Sequence, residues 1–285
     1  MTLPTPGPDR TALITGASAG IGVELARELA RRGHGVTLVA RRADRLQALA
    51  DELAASGAVR AEVIAADLVD VDARSALADT VAGRGLVVDV LVNNAGFSTI
   101  GPVHQSDPAR EVAMIRTDVE AVAHLCSTFV PGMVERGRGA VLNVASTAAF
   151  QPLPGQAGYG GCKAFVLSYS RAMAQELRGK GVTVTALCPG PVETEFAAAA
   201  GIVPGEAADA LPRFMWVSAA DVAQQAVAAM DKGRDVVIPG TANRVLASIA
   251  HLTPRRLLLP VLAGRHPSLR QQAPAPPRRP SDDGF

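Results

Sequence analysis

An α/β fold is predicted by two observations. Residues 11–15 form a short apolar strand candidate that runs straight into the turn Gly16-Ala17-Ser18-Ala19-Gly20-Ile21-Gly22, and residues 23–32 then read as a helix with Leu25, Ala26 and Leu29 on one face. Further apolar strand candidates at 35–40, 62–66, 89–92, 140–145, 182–188 and 235–238 alternate with helical stretches. Strand, glycine turn and helix in that order aim backbone N–H groups and a helix N-terminus at a pyrophosphate. The spacing is Gly-x-x-x-Gly-x-Gly, not Gly-x-Gly-x-x-Gly. A glycine turn alone also serves close helix packing; its place directly after the first strand is what points to a dinucleotide.

Composition bounds the rest. The chain has 285 residues, 48% of them hydrophobic, enough for a buried core in one large domain or two small ones. A formal net charge of +1 gives no general pull toward nucleic acid. Cys126, Cys162 and Cys188 are far apart, which suggests a reducing compartment and neither a disulfide frame nor a zinc site. The five histidines lack His-Glu-x-x-His spacing, so no metal site is expected. With no long apolar run and a polar, Pro-rich start, neither a transmembrane span nor a signal peptide is expected, and the protein is expected to be cytoplasmic. Residues 1–9 read as a flexible leader, 10–240 as one domain, 241–265 as a helical extension and the Pro- and Arg-rich 266–285 as a disordered tail.

Strand ends carry the next signals. The 35–40 strand ends in Arg41-Arg42, where a dinucleotide fold meets the adenosine ribose. An acid there would accept from a 2′-hydroxyl; two guanidinium groups, with no acid before Asp44, suit a 2′-phosphate and favour NADP(H) over NAD(H). The 43–55 helix follows, with Leu46, Leu49, Ala50 and Leu53 on one stripe. The 62–66 strand ends in Asp67-Leu68, which could meet the adenine amino group and ring, although Asp67 could equally cap the 71–82 helix. The 89–92 strand ends in Asn93-Asn94-Ala95-Gly96, whose small residues admit a cofactor and whose asparagines can pin neighbouring strands. Asp107-Pro108 opens a helix that runs to about residue 135.

Tyr159 and Lys163 are four apart and share a helix face. An ammonium beside a phenol favours the phenolate, so the Tyr159 pKa is expected to fall toward working pH, where it can trade a proton with a substrate oxygen. Ser146, thirteen residues upstream at the end of the 140–145 strand, could hold that oxygen. An isolated Tyr-x-x-x-Lys is most often surface decoration, so the context decides.

The context is Thr15 with the Gly16–Gly22 turn, Asn93-Asn94-Ala95-Gly96, Ser146, Tyr159 with Lys163, and Pro189-Gly190 with Val192 and Thr194. In this order and spacing the chain resembles the short-chain dehydrogenase/reductase family over about residues 10–240. The resemblance implies a doubly wound Rossmann fold of seven parallel strands with helices on both faces and ligands at the strands' carboxyl ends. It implies cofactor contacts from Gly16, Ser18, Ala19, Gly20, Ile21, Gly22, Asn94, Ala95 and Gly96, and from Pro189, Gly190, Val192 and Thr194 over the nicotinamide. Tyr159 would be the proton donor, Lys163 would tune it and bind the nicotinamide ribose, and Ser146 would hold the substrate oxygen. Asp118 stands where the family usually has an asparagine that helps hold a water linking the lysine to solvent. An aspartate could still hold that water and would add negative charge favouring the Lys163 ammonium, or it could simply face solvent. Cys162 reads as packing.

The stretch 193–217 suits a substrate lid. Phe196 and Trp216, with Phe97, Ile100, Phe150 and Leu153 from neighbouring loops, suggest an apolar carbonyl or alcohol substrate; packing of the lid or a subunit contact would use the same residues. Ser218 to Asp221 reads as a cap for a helix to 230. The basic-apolar 254–264 segment is too short to span a bilayer and is expected to pack on the domain rather than lie on a membrane. The family implies a homodimer or homotetramer. The function expected is NADP(H)-dependent carbonyl–alcohol interconversion on an apolar or lipid-like small molecule, the alternatives being a 3-oxoacyl thioester reductase or a non-catalytic NADP(H)-binding regulator.

Overall fold

The computed structural model describes residues 3–56, 59–196, 212–265 and 269. The interior of the expected lid, 197–211, and the expected tail apart from Leu269 lie outside the described residues, as do positions 1 and 2.

Seven apolar runs form one parallel sheet: β1 (Arg10–Thr15), β2 (Gly35–Ala40), β3 (Ala61–Ala65), β4 (Val87–Asn93), β5 (Gly139–Val144), β6 (Val182–Leu187) and β7 (Val236–Val237). Their order is β3-β2-β1-β4-β5-β6-β7, the doubly wound arrangement expected. Leu13 lies opposite Leu91, Leu91 opposite Val141, and Val141 opposite Val184, a row on one face. The next row, Ile14, Val92 and Leu142, points to the other face. Both faces are therefore apolar, as a parallel sheet between two helical layers requires.

One layer is α1 (Gly20–Arg31), α2 (Ala43–Ala55) and α7 (Ala219–Asp231), packing Leu25, Leu29, Leu46, Leu53 and Val222 against Ile14, Val92 and Leu142. The other is α3 (Val71–Gly83), α5 (Ala121–Glu135) and α6 (Ala157–Glu176), packing Leu77, Leu125, Val166 and Met173 against Leu13, Leu91 and Val184. Strand order reverses between β1 and β4, so their carboxyl ends open a crevice. Two side chains fix its rim. Thr15 Oγ1 donates to Val92 O at 3.2 Å and accepts from the N–H groups of Asn94 and Ala95, each at 3.0 Å. Asn93 donates to Asn143 Oδ1 at 2.8 Å, and Asn143 donates to Ser170 Oγ at 3.0 Å, tying β4 to β5 and α6.

Helix starts follow local chemistry. Asp107 caps α4 (Pro108–Ile115) with its proline at the first turn, and Ser218 caps α7 by accepting from Asp221 N at 3.1 Å. Beyond the sheet lie α8 (Thr241–Leu252) and α9 (Arg255–Arg265), the expected helical extension. No described helix is long and apolar enough to cross a membrane.

Three expectations are corrected. The expected helix from 108 to 135 is not uniform: a five-residue π turn, Arg116–Glu120, interrupts its α-helical repeat and separates α4 from α5. Such a turn inserts a residue into the α-helical repeat and re-aims the side chains it carries. The α3 cap is Asp70, which accepts from Asp72 N and Ala73 N, and not Asp67. Residues 3–9 are not a loose leader: Leu3 N donates to Asp231 Oδ1 at 3.2 Å, Val87 N donates to Asp9 O at 2.9 Å, and Arg138 donates to the Thr5 carbonyl. Backbone bonds to α7 and β4 hold the segment against the domain.

Arg74 on α3 holds the π turn from below. It is buried, and its guanidinium donates to Leu68 O at 2.7 Å, to Arg116 O at 3.4 Å and to the Glu120 carboxylate. Arg74→Ala strands two carbonyls and is expected to lower unfolding free energy by about 2–3 kcal/mol, read from denaturant midpoints. An unchanged midpoint would contradict this support.

Candidate active site

The glycine turn is shaped by close approach. Gly16 and Gly20 have φ of +66° and +55°, a region that L side chains rarely adopt. A Cβ on Gly22 would lie 2.3 Å from Gly16 O, and one on Gly16 would lie 2.8 Å from Asn94 Nδ2. Asn94 Nδ2 in turn donates to Thr15 O at 2.9 Å, locking the turn to the end of β4. Ala19 precedes α1 and offers no side-chain cap, so the first N–H groups of α1 have no side-chain acceptor. Those donors and the helix dipole are of the kind that suits an anion. Thr194 comes to the same turn: a Cβ on Gly20 would lie 3.0 Å from Thr194 Cγ2.

At the β2 end, Arg42 reaches back over the turn. Its Nε and Nη2 donate to Ser18 Oγ at 3.2 and 3.1 Å, and Nη1 donates to Glu195 Oε2 at 2.9 Å. Arg45 Nη1 donates to Glu195 Oε1 at 2.7 Å. Arg41, the other half of the expected pair, is exposed, and no described contact brings it to Ser18 or Glu195. The sequence reading missed Arg45, although its place in the first turn of the helix that follows Arg42 was a usable signal. Hydrogen bonds from Arg45 and Arg42 hold the Glu195 carboxyl below its usual range. A carboxylate clasped by two guanidiniums beside Ser18 shows that this donor set suits an anionic oxygen group.

Two neighbouring expectations shift. Leu68 is a core residue packed with Ile64 and Leu77, and not a free face for a ring. Asp67 is exposed and accepts from Val69 N at 3.0 Å, an Asx turn of its own.

Ser146, Tyr159, Lys163 and Asp118 do converge. Ser146 follows β5, and its Oγ accepts from Ala148 N at 3.1 Å while it caps a short 3-10 turn, Thr147–Phe150. Ser146 also lies near enough to the Tyr159 hydroxyl to favour its ionised form. Lys163 lies one turn along α6, with Nζ 5.6 Å from the Tyr159 ring centroid. Nζ donates to Val144 O at 3.1 Å and pairs with Asp118 Oδ2 at 2.9 Å. Asp118, on the π turn, is fully buried, which removes the reading in which it faces solvent. Its Oδ1 accepts from Phe97 N at 3.0 Å.

The electrostatics correct one expectation. Burial pushes the Tyr159 hydroxyl up from its ordinary value; Lys163 and Ser146 pull it down without reversing that, and Asp118 adds to the rise. The residue as a whole is partly buried. For Lys163, burial lowers the pKa, but the Asp118 carboxylate and the Tyr159 hydroxyl together outweigh it, and the net direction is up. Burial pushes Asp118 up against the pull of Lys163 and the Phe97 N–H. Cys162 is buried, its thiol pushed up to about 11 by burial, which leaves it an inert packing group.

Of the expected substrate residues, Phe196 packs its ring 5.7 Å from that of Tyr159. Phe97 lies over Asp118 through its backbone, and Leu153 lies against Gly160 on α6. Phe150 is corrected: its side chain belongs to the core, and its carbonyl accepts from Arg255 at 2.9 Å. Trp216 is half-buried after a short turn, Arg213–Met215, that α8 grips through Asn243, which donates to Met215 O at 2.9 Å. Pro189 O accepts from Thr147 N at 2.9 Å, Gly190 is pressed against Asn243, and Val192 bridges to Val217.

A glycine turn that opens a crevice where a phenol stands beside an ammonium defines a dinucleotide-type α/β oxidoreductase. Residues 10–202 match the family model described as short chain dehydrogenase, and the chain belongs to that family. An uncharacterized oxidoreductase of Myxococcus xanthus is 42% identical over 192 residues, 66% of this chain and 74% of that protein. An NADP-dependent 3-hydroxy acid dehydrogenase, YdfG, of Salmonella typhi is 40% identical over 189 residues, 65% of this chain and 73% of that protein. Among solved structures, a short-chain dehydrogenase from Sphingobium yanoikuyae in complex with NADPH is similar with a TM-score of 0.76 at 32% identity, covering 95% of this chain and 100% of that one.

The buried pair carries a pH signature. In Lys163→Met the Asp118 carboxyl is left unpaired, so its folded pKa rises further above its unfolded value of about 4. The folded state then binds more protons than the unfolded one, and stability is expected to fall as pH rises from about 4 through the raised value. Adding Asp118→Asn is expected to abolish that slope. Matching slopes in denaturant titrations of the single and double variants would contradict the pairing.

Proposed function

We propose that the protein is an NADP(H)-dependent oxidoreductase that interconverts a carbonyl and an alcohol on an apolar or lipid-like small molecule. The observation that carries the cofactor is the Arg42–Ser18–Arg45 cluster, whose present partner is the Glu195 carboxylate. A 2′-phosphate has the charge and oxygen geometry that such guanidiniums take. The Salmonella relative's name and the NADPH of the Sphingobium structure support the same cofactor. Its pyrophosphate would meet the N-terminus of α1 at Gly16, Ser18, Ala19, Gly20, Ile21 and Gly22, with Asn94, Ala95 and Gly96 and the 189–194 turn beyond.

When bound, the nicotinamide supplies or receives the hydride. Tyr159 gives its hydroxyl proton to the carbonyl oxygen as negative charge builds there. Ser146 holds that oxygen by hydrogen bond. Lys163 sets the field at the phenol and holds the ribose, and Asp118 keeps Lys163 protonated and in place. Phe196 and Phe97 form the apolar side of the site, which is the support for an apolar substrate. Assembly through α4, α5 and α6 as a homodimer or homotetramer belongs to the same reading, supported by the exposed Ile115 and Phe165 on those helices.

Tyr159→Phe is expected to cut NADPH-linked ketone turnover about a thousandfold while nucleotide affinity holds. Normal turnover in that variant would remove the assignment. Arg42→Ala is expected to weaken NADPH binding about 10- to 100-fold with little effect on NADH, measured by fluorescence titration. An equal loss for both nucleotides would contradict the 2′-phosphate site.

A further inference from the structure

The helical extension carries a surface that the reaction does not use. On α8, Val245, Ile249 and Leu252 recur at four and three residues and are 53%, 55% and 81% exposed. The opposite face of α8 buries Asn243 and Ala247 against the domain, so this orientation is fixed by packing. Leu257 and Val261 continue the apolar exposure on α9, four residues apart and 60% and 51% exposed. A helix pair that only closed the domain would turn such side chains inward.

Charge indicates what covers them. Residues 236–265 contain no Asp or Glu, but they contain Arg244, Arg255, Arg256 and Arg265. Arg244, Arg255 and Arg256 are exposed. The sequence beyond adds Arg270, Arg278 and Arg279 before its first acid, Asp282. Outside residues 236–265 the chain has a formal net charge of −3, against +1 overall, so the positive charge is concentrated on this extension. Exposed aliphatic side chains among unopposed arginines are complementary to a surface that offers acyl chains beneath anionic headgroups. A two-fold contact in which this patch met the same patch of a second copy would set it against its own positive charge.

We propose that the α8–α9 face docks the protein on an anionic lipid bilayer surface, with Val245, Ile249, Leu252, Leu257 and Val261 entering the headgroup layer and Arg244 and Arg256 pairing with lipid phosphates. The docked face adjoins the candidate site: Arg255 holds the Phe150 carbonyl in the turn that Ser146 caps, and Asn243 holds Met215. Binding to lipid does not depend on the reaction proposed above, and the test does not use it.

The test is co-sedimentation of the full chain with vesicles of phosphatidylglycerol and phosphatidylcholine, or of phosphatidylcholine alone, at low and high salt. The full chain is expected to pellet with anionic vesicles at low salt and to be released by high salt. Ile249→Glu/Leu252→Glu/Leu257→Glu and, separately, Arg244→Glu/Arg256→Glu are expected to lower the partition coefficient about tenfold or more, with thermal midpoint and NADPH affinity retained. A full chain that stays in the supernatant with anionic vesicles overturns the proposal. So does equal binding to both vesicle types, or a triple variant that turns a dimer into a monomer by light scattering while its vesicle binding is unchanged.

Discussion

A lysine ammonium buried to 4% exposure is the constraint around which this site is built. Removing such an ion from water costs several kcal/mol unless opposite charge and hydrogen bonds replace the lost hydration. Lys163 has both, in the Val144 carbonyl at the end of β5 and the Asp118 carboxylate. Each partner requires a piece of the fold. The carbonyl requires α6 to cross directly over the strand end, and the carboxylate requires a residue of the neighbouring helix to point inward at that depth.

The π turn meets the second requirement. In an uninterrupted helix from α4 to α5 the register would carry the side chains of this segment past Lys163. The inserted residue re-aims Asp118 into the site. Arg74 secures the turn by bonding the Arg116 carbonyl and Glu120, so a buried guanidinium on α3 supports a buried ammonium on α6 through the element between them. The same placement explains Gly96. A Cβ there would stand 2.8 Å from Asp118 Oδ1, so the small residue after the asparagines makes room for a side chain as well as for a ligand.

The sequence makes some of this legible and hides the rest for physical reasons. The strands, the glycine turn and the α6 pair are local patterns: Gly22 lies against Gly16, and Lys163 stands beside Tyr159, where that pattern places them. The π turn is hidden because one inserted residue barely disturbs apolar periodicity across a segment that reads as helix from 108 to 135. Leu68 and Phe150 are hidden because an apolar residue in a segment that follows a strand looks the same whether it meets a ligand or the core. The balance at Tyr159 is hidden more deeply. Spacing reveals the nearby lysine, which lowers the pKa, but not the burial that opposes it.

That balance is where an aspartate at position 118 matters. An asparagine would leave the Lys163 ammonium as an isolated positive charge facing the phenol. With Asp118 at 2.9 Å the phenol faces an ion pair, whose field falls off faster than that of a lone charge and includes a term of opposite sign. The phenol therefore keeps its proton more firmly than the Tyr-x-x-x-Lys spacing suggests. A firmly held proton is available to an oxygen that gains negative charge, but a phenolate base is harder to form. The aspartate thus ties two properties together: it secures Lys163 inside the protein, and it favours the protonated Tyr159 that the proposed donor role requires.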